Sequence, residues 1–137
     1  NLNNIEIHNI TRQDVSTGIP SNIALVEALK FMGTAPLVGH MVDVDKGFFK
    51  EWFKEENLSF NEIKFIDTAA LDLRLNSPVG LDGKRAHSPK SLNQLCKAYK
   101  VDNEAAHTAG GDAYATALVF IQMLHQYQDR NMKLTSK

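Results

Sequence analysis

The sequence predicts an α/β fold, because short apolar runs alternate with stretches of helical periodicity. Two runs have the length and composition of buried strands, Pro36–Val42 and Ile63–Asp67. Helical stretches follow them, Lys46–Glu55 after the first and Ala69–Leu75 after the second. This order implies parallel strands joined by right-handed crossovers, with ligand sites at the carboxyl ends of the strands. Because two strands make no stable sheet, we expect the second half of a layered α/β structure whose first strands lie elsewhere.

The residues before the first strand form a polar segment and one helix. Residues 1–20 are polar and irregular, with a short β-like stretch at Ile5–Ile7. Ser21 is expected to be the N-cap of a helix that ends at Gly33. In the helix after the first strand, the aromatic residues recur on one face, which favours a place in the core over a platform for stacking bases. These residues are Phe48, Phe49, Trp52 and Phe53.

The second half of the chain ends in two predicted helices. Residues 76–90 are rich in proline, glycine and charge and are expected to form a loop. Ser91 then starts a helix that runs through Tyr99. The last helix is predicted from about Asp112 to about Tyr127, and it is apolar on nearly every side, which is typical of a buried helix.

The composition is that of one compact domain, with 137 residues of which 43% are hydrophobic and 23% are charged. A net charge of -1 provides no general attraction for a polyanion, so nucleic-acid contact would need local basic groups or bound cations. Cys96 is the single cysteine, and no apolar run approaches the roughly 20 residues of a membrane span. We therefore expect a cytoplasmic location without membrane contact. The start at Asn1, without an initiator methionine, leads us to expect a further segment upstream.

Asp112 and His107 are the first candidates for a chemical role. A carboxylate at the start of a buried helix is costly unless a metal ion or the helix dipole neutralises it, so Asp112 is either a metal ligand or a cap. In a continuous helix, a separation of five residues would place the two side chains roughly 140° apart. Gly110 and Gly111 let the backbone leave helical angles, so that His107 can fold over the helix start toward Asp112. The alternative for His107 is an ordinary exposed histidine.

A second candidate carboxylate follows the first strand. Asp45 is expected near the carboxyl edge of the sheet, within reach of Asp112. Two carboxylates at one edge repel each other unless a divalent cation lies between them. Asp43 competes for the same role, and either residue could instead cap the next helix. Strand alternation does not choose between them, because both fall on the same side.

Two segments resemble sequence motifs of a known family. Residues Ala106–Ala113 resemble the third motif, His-x-Ala-x-x-Asp, of the DnaQ-like (DEDDh) 3′-to-5′ exonucleases. Residues Pro36–Asp45 resemble the second motif, usually Val-x-His-Asn-x-x-Phe-Asp, with Met41 and Val44 in place of the Asn and Phe. This alignment matches Asp45, and not Asp43, to the metal-binding aspartate of the family.

The resemblance covers nearly the whole chain in the family's order. Ile7–Thr11, Phe65–Thr68 and Ser91–Cys96 are similar to further segments of the family. The first motif, Asp-x-Glu on the first strand, is missing, and no candidate for it precedes Ile7. The resemblance therefore implies a ribonuclease H-like three-layer fold that lacks its first strands, with residues 1–137 as the C-terminal portion of one exonuclease domain.

The resemblance also implies a chemistry and a set of partners. Two Mg²⁺ or Mn²⁺ ions would be bound in part by Asp45 and Asp112, with His107 as the general base. Oxygen ligands favour these ions over zinc, and no further cofactor is implied. The substrate would be the 3′ end of a single-stranded nucleic acid, DNA or RNA, and the product a nucleotide monophosphate. An uncovered apolar face would favour a homodimer.

Two alternatives stay open at this stage. The missing first motif also fits a catalytically degenerate module that binds nucleic acid or a protein partner. The most basic short stretch either contacts the phosphate backbone of the substrate or is simply solvated. It contains Gly80, Lys84, Arg85, His87 and Lys90.

Overall fold

The chain forms an α/β structure with a small parallel sheet, in a computed structural model that describes residues 10–59 and 63–130. In these residues, strands β1 (Leu37–Gly39) and β2 (Phe65–Asp67) pair in parallel, with Leu37 opposite Phe65 and Gly39 opposite Asp67. The predicted α/β class and the parallel pairing are thus confirmed, whereas Ile5–Ile7 lies outside the described residues. The elements in order are α1 (Arg12–Ser16), α2 (Ser21–Met32), β1 (Leu37–Gly39), α3 (Asp43–Glu55), β2 (Phe65–Asp67), α4 (Thr68–Asn76), α5 (Leu92–Tyr99) and α6 (Ala109–Asp129).

Both strands are shorter than predicted. β1 ends at Gly39 rather than at Val42, because Met41 has a φ of 55° and the chain turns out of the sheet there. The backbone N–H of Met41 donates to Oδ1 of Asp67 at 3.0 Å, which holds this turn against the end of β2. β2 begins two residues later than predicted, at Phe65. The chain therefore passes from β1 into the next helix within a few residues.

α2 has the predicted end but a different start. Gly33 follows the helix with a φ of 56°, a left-handed value that glycine adopts without a steric penalty. Ser21 was predicted to be the N-cap, but it is the first helical residue and Pro20 precedes it without a side-chain cap. The Ser21 hydroxyl instead accepts a hydrogen bond from the indole N–H of Trp52 at 2.6 Å. This bond joins α2 to α3.

α3 begins three residues earlier than predicted, and its aromatic residues are not all in the core. The helix starts at Asp43, so Asp43 and Asp45 lie in its first turn, where the helix dipole favours negative charge. Of the aromatic residues only Phe53 is buried, whereas Phe48 is 74% exposed. The prediction of a buried aromatic face is therefore wrong for Phe48, because no described element covers that side of the helix.

The second half of the chain contains the main core. α5 starts as predicted, with a capping box in which the Ser91 hydroxyl accepts the N–H of Gln94 at 3.3 Å and the Gln94 side chain accepts the N–H of Ser91 at 2.8 Å. Helices α4, α5 and α6 pack together around one cluster of buried side chains. The cluster consists of Leu71, Leu75, Leu95, Cys96, Tyr99, Ala115, Val119, Met123 and Tyr127.

α6 is buried on one face only. The buried positions recur at helical spacing from Ala115 through Val119 and Met123, and they face α4 and α5. Tyr114 is 66% exposed and Ile121 is 44% exposed on the remaining surface. The prediction of a helix buried on nearly every side is therefore wrong for the described structure. The uncovered apolar surface is what a larger sheet would cover.

Candidate functional site

The carboxyl ends of β1 and β2 meet in a junction that depends on Asp67. Its Oδ1 accepts the N–H of Ala69 at 2.9 Å and thereby caps α4. The same oxygen accepts the N–H of Met41 at 3.0 Å, in the turn that follows β1. One carboxylate thus joins the turn after the first strand to the helix after the second. The junction holds the turn that leads from β1 to Asp45 at the carboxyl ends of the two strands.

His40 lies at this junction and has a defined orientation. The Thr68 hydroxyl donates to the carbonyl of Gly39 at 3.0 Å, and Nδ1 of His40 lies 3.1 Å from the same hydroxyl oxygen. With its own hydrogen donated to Gly39, the hydroxyl oxygen accepts from Nδ1 in the tautomer that carries a hydrogen on that nitrogen. Burial lowers the pKa of His40, and the negative charges of Asp67 and Asp112 oppose this effect. Asp112 is therefore electrostatically coupled to the end of β1.

The start of α6 is a tightly hydrogen-bonded turn. Thr108 is the N-cap, and its hydroxyl accepts the N–H of Gly111 at 3.0 Å while donating to the carbonyl of Ala105 at 2.8 Å. The N–H of His107 donates to Oδ1 of Asp112 at 3.3 Å. His107 and Asp112 are therefore brought together, through the backbone of the first and the carboxylate of the second.

The structural reason for this contact differs from the one predicted. Gly110 and Gly111 were expected to break the helix, but both are helical, and α6 begins at Ala109 rather than at Asp112. The backbone departs from helical angles at His107 itself, which has a φ of 67°. A left-handed conformation is unusual for a residue other than glycine, and strained residues of this kind are concentrated at functional sites. The His107 side chain is exposed to solvent.

Asp45 lies close to the end of β1. A Cβ atom placed on Gly39 would be 3.9 Å from Oδ2 of Asp45, which locates this carboxylate above the last residue of the strand. Asp45 is exposed, and no ion pair or hydrogen bond engages its side chain among the residues that the structure describes. Asp43 differs, because its carboxylate lies 3.4 Å from the Lys46 ammonium and is 95% exposed. The geometry at Gly39 thus distinguishes two aspartates that the sequence pattern left equivalent.

The donor chemistry of these residues suits a hard divalent cation. Asp45 and Asp112 present oxygen atoms, which are the ligands that Mg²⁺ and Mn²⁺ prefer. Within residues 10–59 and 63–130, however, no group of three or more His, Cys, Asp or Glu side chains could hold a metal ion. A metal site that included Asp45 or Asp112 would therefore need ligands from outside these residues.

Two of the positively charged side chains in the basic loop after α4 bind other groups of the chain. The Arg85 guanidinium donates to the carbonyls of Leu73 and Ser77, both at 2.7 Å, and so satisfies the end of α4. The Lys90 ammonium lies 2.5 Å from Oδ2 of the buried Asp72. Of the three cations in this loop, Lys84 is the one whose side chain has no contact of this kind in the described part of the chain.

Two residues of the junction were not singled out by their chemistry in the sequence. His40 and Asp67 appear within segments that resemble the exonuclease family, but neither was predicted to hold the site together. The signal was present for Asp67, since an aspartate between a strand and a helix is a strong N-cap candidate. For His40 the only signal was its match to the histidine of the second motif, because its hydrogen-bond partner Thr68 lies 28 residues away.

Comparison with known proteins assigns the chain to a family. The exonuclease family matches residues 2–120. DNA polymerase III PolC-type of Staphylococcus saprophyticus is 31% identical over 121 residues, which cover 82% of this chain and 8% of the relative. The same enzyme of Staphylococcus haemolyticus is 29% identical over 142 residues, covering 97% of this chain and 9% of the relative. That of Staphylococcus epidermidis is 30% identical over 126 residues, covering 91% and 8%.

These matches cover most of this chain but only a small part of each relative. The chain spans less than a tenth of the length of the curated relatives that it matches. Its parallel sheet and flanking helices are consistent with part of a ribonuclease H-like exonuclease fold. None of the described helices is both long enough and apolar enough to cross a membrane. On the match over residues 2–120, this chain belongs to the DnaQ-like exonuclease family.

Proposed function

We propose that the chain is part of a metal-dependent 3′-to-5′ exonuclease, which hydrolyses phosphodiester bonds at the 3′ end of a single-stranded nucleic acid and releases nucleotide monophosphates. The observation that carries this proposal is the hydrogen bond between the His107 backbone and the Asp112 carboxylate at the start of α6. It joins the backbone of a residue with an exposed side chain to a carboxylate whose negative charge acts on His40, at the end of β1. The PolC-type relatives make a DNA strand in a polymerase context the favoured substrate.

His107 is proposed as the general base. Its side chain is exposed, so it can take a proton from an attacking water molecule and pass it to solvent. The backbone bond to Asp112 holds the His107 backbone next to the carboxylate that would face the substrate. Asp112 would thus have two functions, as a metal ligand through its free electron pairs and as the acceptor that holds the His107 turn.

Asp45 and Asp112 are proposed to hold Mg²⁺ or Mn²⁺ together with carboxylates from outside the described residues. Two bound ions would neutralise the scissile phosphate and the leaving 3′-oxygen. This chain's own residues support the proposed site. The hydrogen bonds of Asp67, Thr68 and His40 hold the turn between β1 and Asp45.

The test is a shortening assay on a 5′-labelled single strand with Mn²⁺, applied to this chain and to the longer protein that contains it. We expect stepwise shortening that a blocked 3′ end prevents, and a loss of about 10²–10⁴-fold in rate for His107→Ala. His125→Ala is the matched control, because His125 is also exposed but lies near the C-terminal end of α6, away from its first turn. Shortening that is equally fast in His107→Ala would overturn the proposal.

The second candidate is a degenerate exonuclease-fold module that binds nucleic acid or a protein partner without cleaving. It is favoured by the lack of a group of three metal-ligating side chains among the described residues. In that case the longer protein would bind a single strand with the same affinity with and without Mn²⁺, and would not shorten it. A shortening rate that depends on both Mn²⁺ and His107 would exclude this alternative.

A further inference from the structure

The turn that carries His107 lies unusually close to the first turn of α6 at Gly111. A Cβ atom placed on Gly111 would be 2.1 Å from the carbonyl oxygen of Ala105, and 2.7 Å from both its carbonyl carbon and its Cβ. Two of these three atoms belong to the backbone, so they cannot move away without displacing the turn. The observed geometry therefore requires glycine at position 111, because there is no room for a Cβ atom.

The same close approach supports the hydrogen bonds that determine where His107 lies. The carbonyl of Ala105 accepts both the N–H of Thr108 at 3.2 Å and its hydroxyl at 2.8 Å. That hydroxyl accepts the N–H of Gly111 at 3.0 Å. Residues 105–108 are thus bonded to α6 at the point where a side chain on Gly111 would push them away.

His107 depends on this anchoring because its backbone conformation is unfavourable. A φ of 67° is rare for a residue with a Cβ atom and persists only where the surrounding contacts impose it. The contacts available are the Thr108 cap and the bond from the His107 N–H to Asp112 at 3.3 Å. Displacement of the turn would remove the bond to Asp112 and let His107 relax to an ordinary conformation.

We propose that Gly111 is a positioning residue for His107, because its missing side chain lets the 105–108 turn lie against α6 and keeps the His107 backbone bonded to Asp112. This inference rests on the proposed role of His107 as the general base. In this role Gly111 contacts neither substrate nor metal. Substitution of Gly111 is therefore expected to slow the chemical step and to leave the binding of the strand unchanged.

Gly110 provides a matched control one residue away. It lies in the same helical turn, but a Cβ atom placed there would meet nothing within 4 Å. Glycine is less favourable than alanine in a helix, so Gly110→Ala is expected to keep or raise the melting temperature. Gly111→Ala adds the same methyl group at the position where that group would overlap Ala105. The difference between the two variants therefore measures the close approach alone.

The experiment compares wild type, Gly110→Ala, Gly111→Ala and His107→Ala in the shortening assay, together with hydrogen exchange of the His107 amide. For Gly111→Ala we expect kcat to fall by about 100-fold with KM within about twofold, since a misplacement of about 1 Å can have that effect. The His107 amide should exchange faster in Gly111→Ala only. Gly110→Ala should match wild type in both measurements.

The outcomes separate the two proposals. If His107→Ala loses activity while Gly111→Ala behaves like Gly110→Ala, the role of Gly111 is overturned and the proposed function stands. If His107→Ala is as active as wild type, the general base is refuted, and the positioning role of Gly111 is refuted with it. Should Gly111→Ala not fold, Thr108→Val removes the hydroxyl that binds the turn to Gly111. An unchanged kcat and unchanged His107 exchange in that variant would then overturn the inference.

Discussion

The Lys90 ammonium lies 2.5 Å from Oδ2 of Asp72 and joins the loop after α4 to the middle of that helix. The Asp72 side chain is 3% exposed and that of Lys90 is 33% exposed, so the pair is formed at the edge of the core. Oδ1 of Asp72 accepts further bonds from Asn76 at 2.8 Å and from the Tyr99 hydroxyl at 3.1 Å. The carboxylate therefore binds side chains from the loop after α4, from α4 itself and from α5.

We expect Lys90→Met to destabilise the protein by about 1–3 kcal/mol, because it leaves a buried carboxylate without its charged partner. The matched control is Lys54→Met, which removes an exposed pair with Glu51 at 3.4 Å and should change stability by no more than about 1 kcal/mol. Urea unfolding of both variants is the measurement. Equal losses would show that burial of Asp72 has no effect on the strength of the pair.

Stability should also fall in acid through Asp72. Burial disfavours its charged form, but the bonds from Lys90, Asn76 and Tyr99 outweigh burial and hold the pKa of this carboxyl below its ordinary value. A carboxyl whose folded pKa is depressed contributes stability above its unfolded pKa of about 3.9 and loses it as the pH falls through the lower folded value. Urea unfolding between pH 6 and pH 2 should show this loss, and Lys90→Met should show less of it.

Met123→Ala should destabilise the protein by about 2–5 kcal/mol. The Met123 side chain is fully buried in the cluster that α6 forms with α4 and α5, so the substitution leaves a cavity there. Ile121→Ala is the control on the same helix, because Ile121 is 44% exposed. Its effect should be within about 1 kcal/mol. Thermal unfolding followed by circular dichroism measures both. A loss in Ile121→Ala as large as in Met123→Ala would mean that the exposed face of α6 is covered in solution.

Asp67→Ala should cost about 1–2 kcal/mol, because it removes the N-cap of α4 together with the bond to Met41. Asp102→Ala is the control, since Asp102 is exposed and no hydrogen bond engages its side chain in the described structure. Chemical denaturation is the measurement. If both aspartates prove equally dispensable, the junction at the strand ends does not depend on this carboxylate.

Asp45→Asn should reduce the proposed exonuclease rate by about 100-fold or more, because a lost metal ligand removes several kcal/mol of charge stabilisation in the transition state. Asp43→Asn makes the same change two residues earlier, where the carboxylate is paired with Lys46. That variant should keep nearly the full rate in the shortening assay with Mn²⁺. The reverse result would assign the ligand to Asp43 and contradict the alignment of Asp45 with the family's second motif.

Local features of the sequence were predicted well where a few neighbouring residues decide them. The start of α5 depends only on Ser91 and Gln94, and the end of α2 depends only on Gly33, so the predicted helix start at Ser91 and the predicted end at Gly33 were confirmed. The start of α2 was mispredicted because Trp52, 31 residues away, takes the Ser21 hydroxyl. Phe48 was assigned to the core from its spacing, but spacing does not reveal whether a partner covers that face.

The sequence by itself determined the order of the two strands and of helices α2 to α6, the parallel pairing of the strands, and a motif around His107 and Asp112 that identifies the exonuclease family. These properties depend on residues close together in the chain. Helix α1 was missed, because residues 1–20 were predicted to be irregular. Only the tertiary structure decided that the backbone bends at His107 and not at the glycines, and that Gly39 brings β1 beneath Asp45. The physical reason is that such positions result from steric contacts and hydrogen bonds between separate segments, which no local pattern encodes.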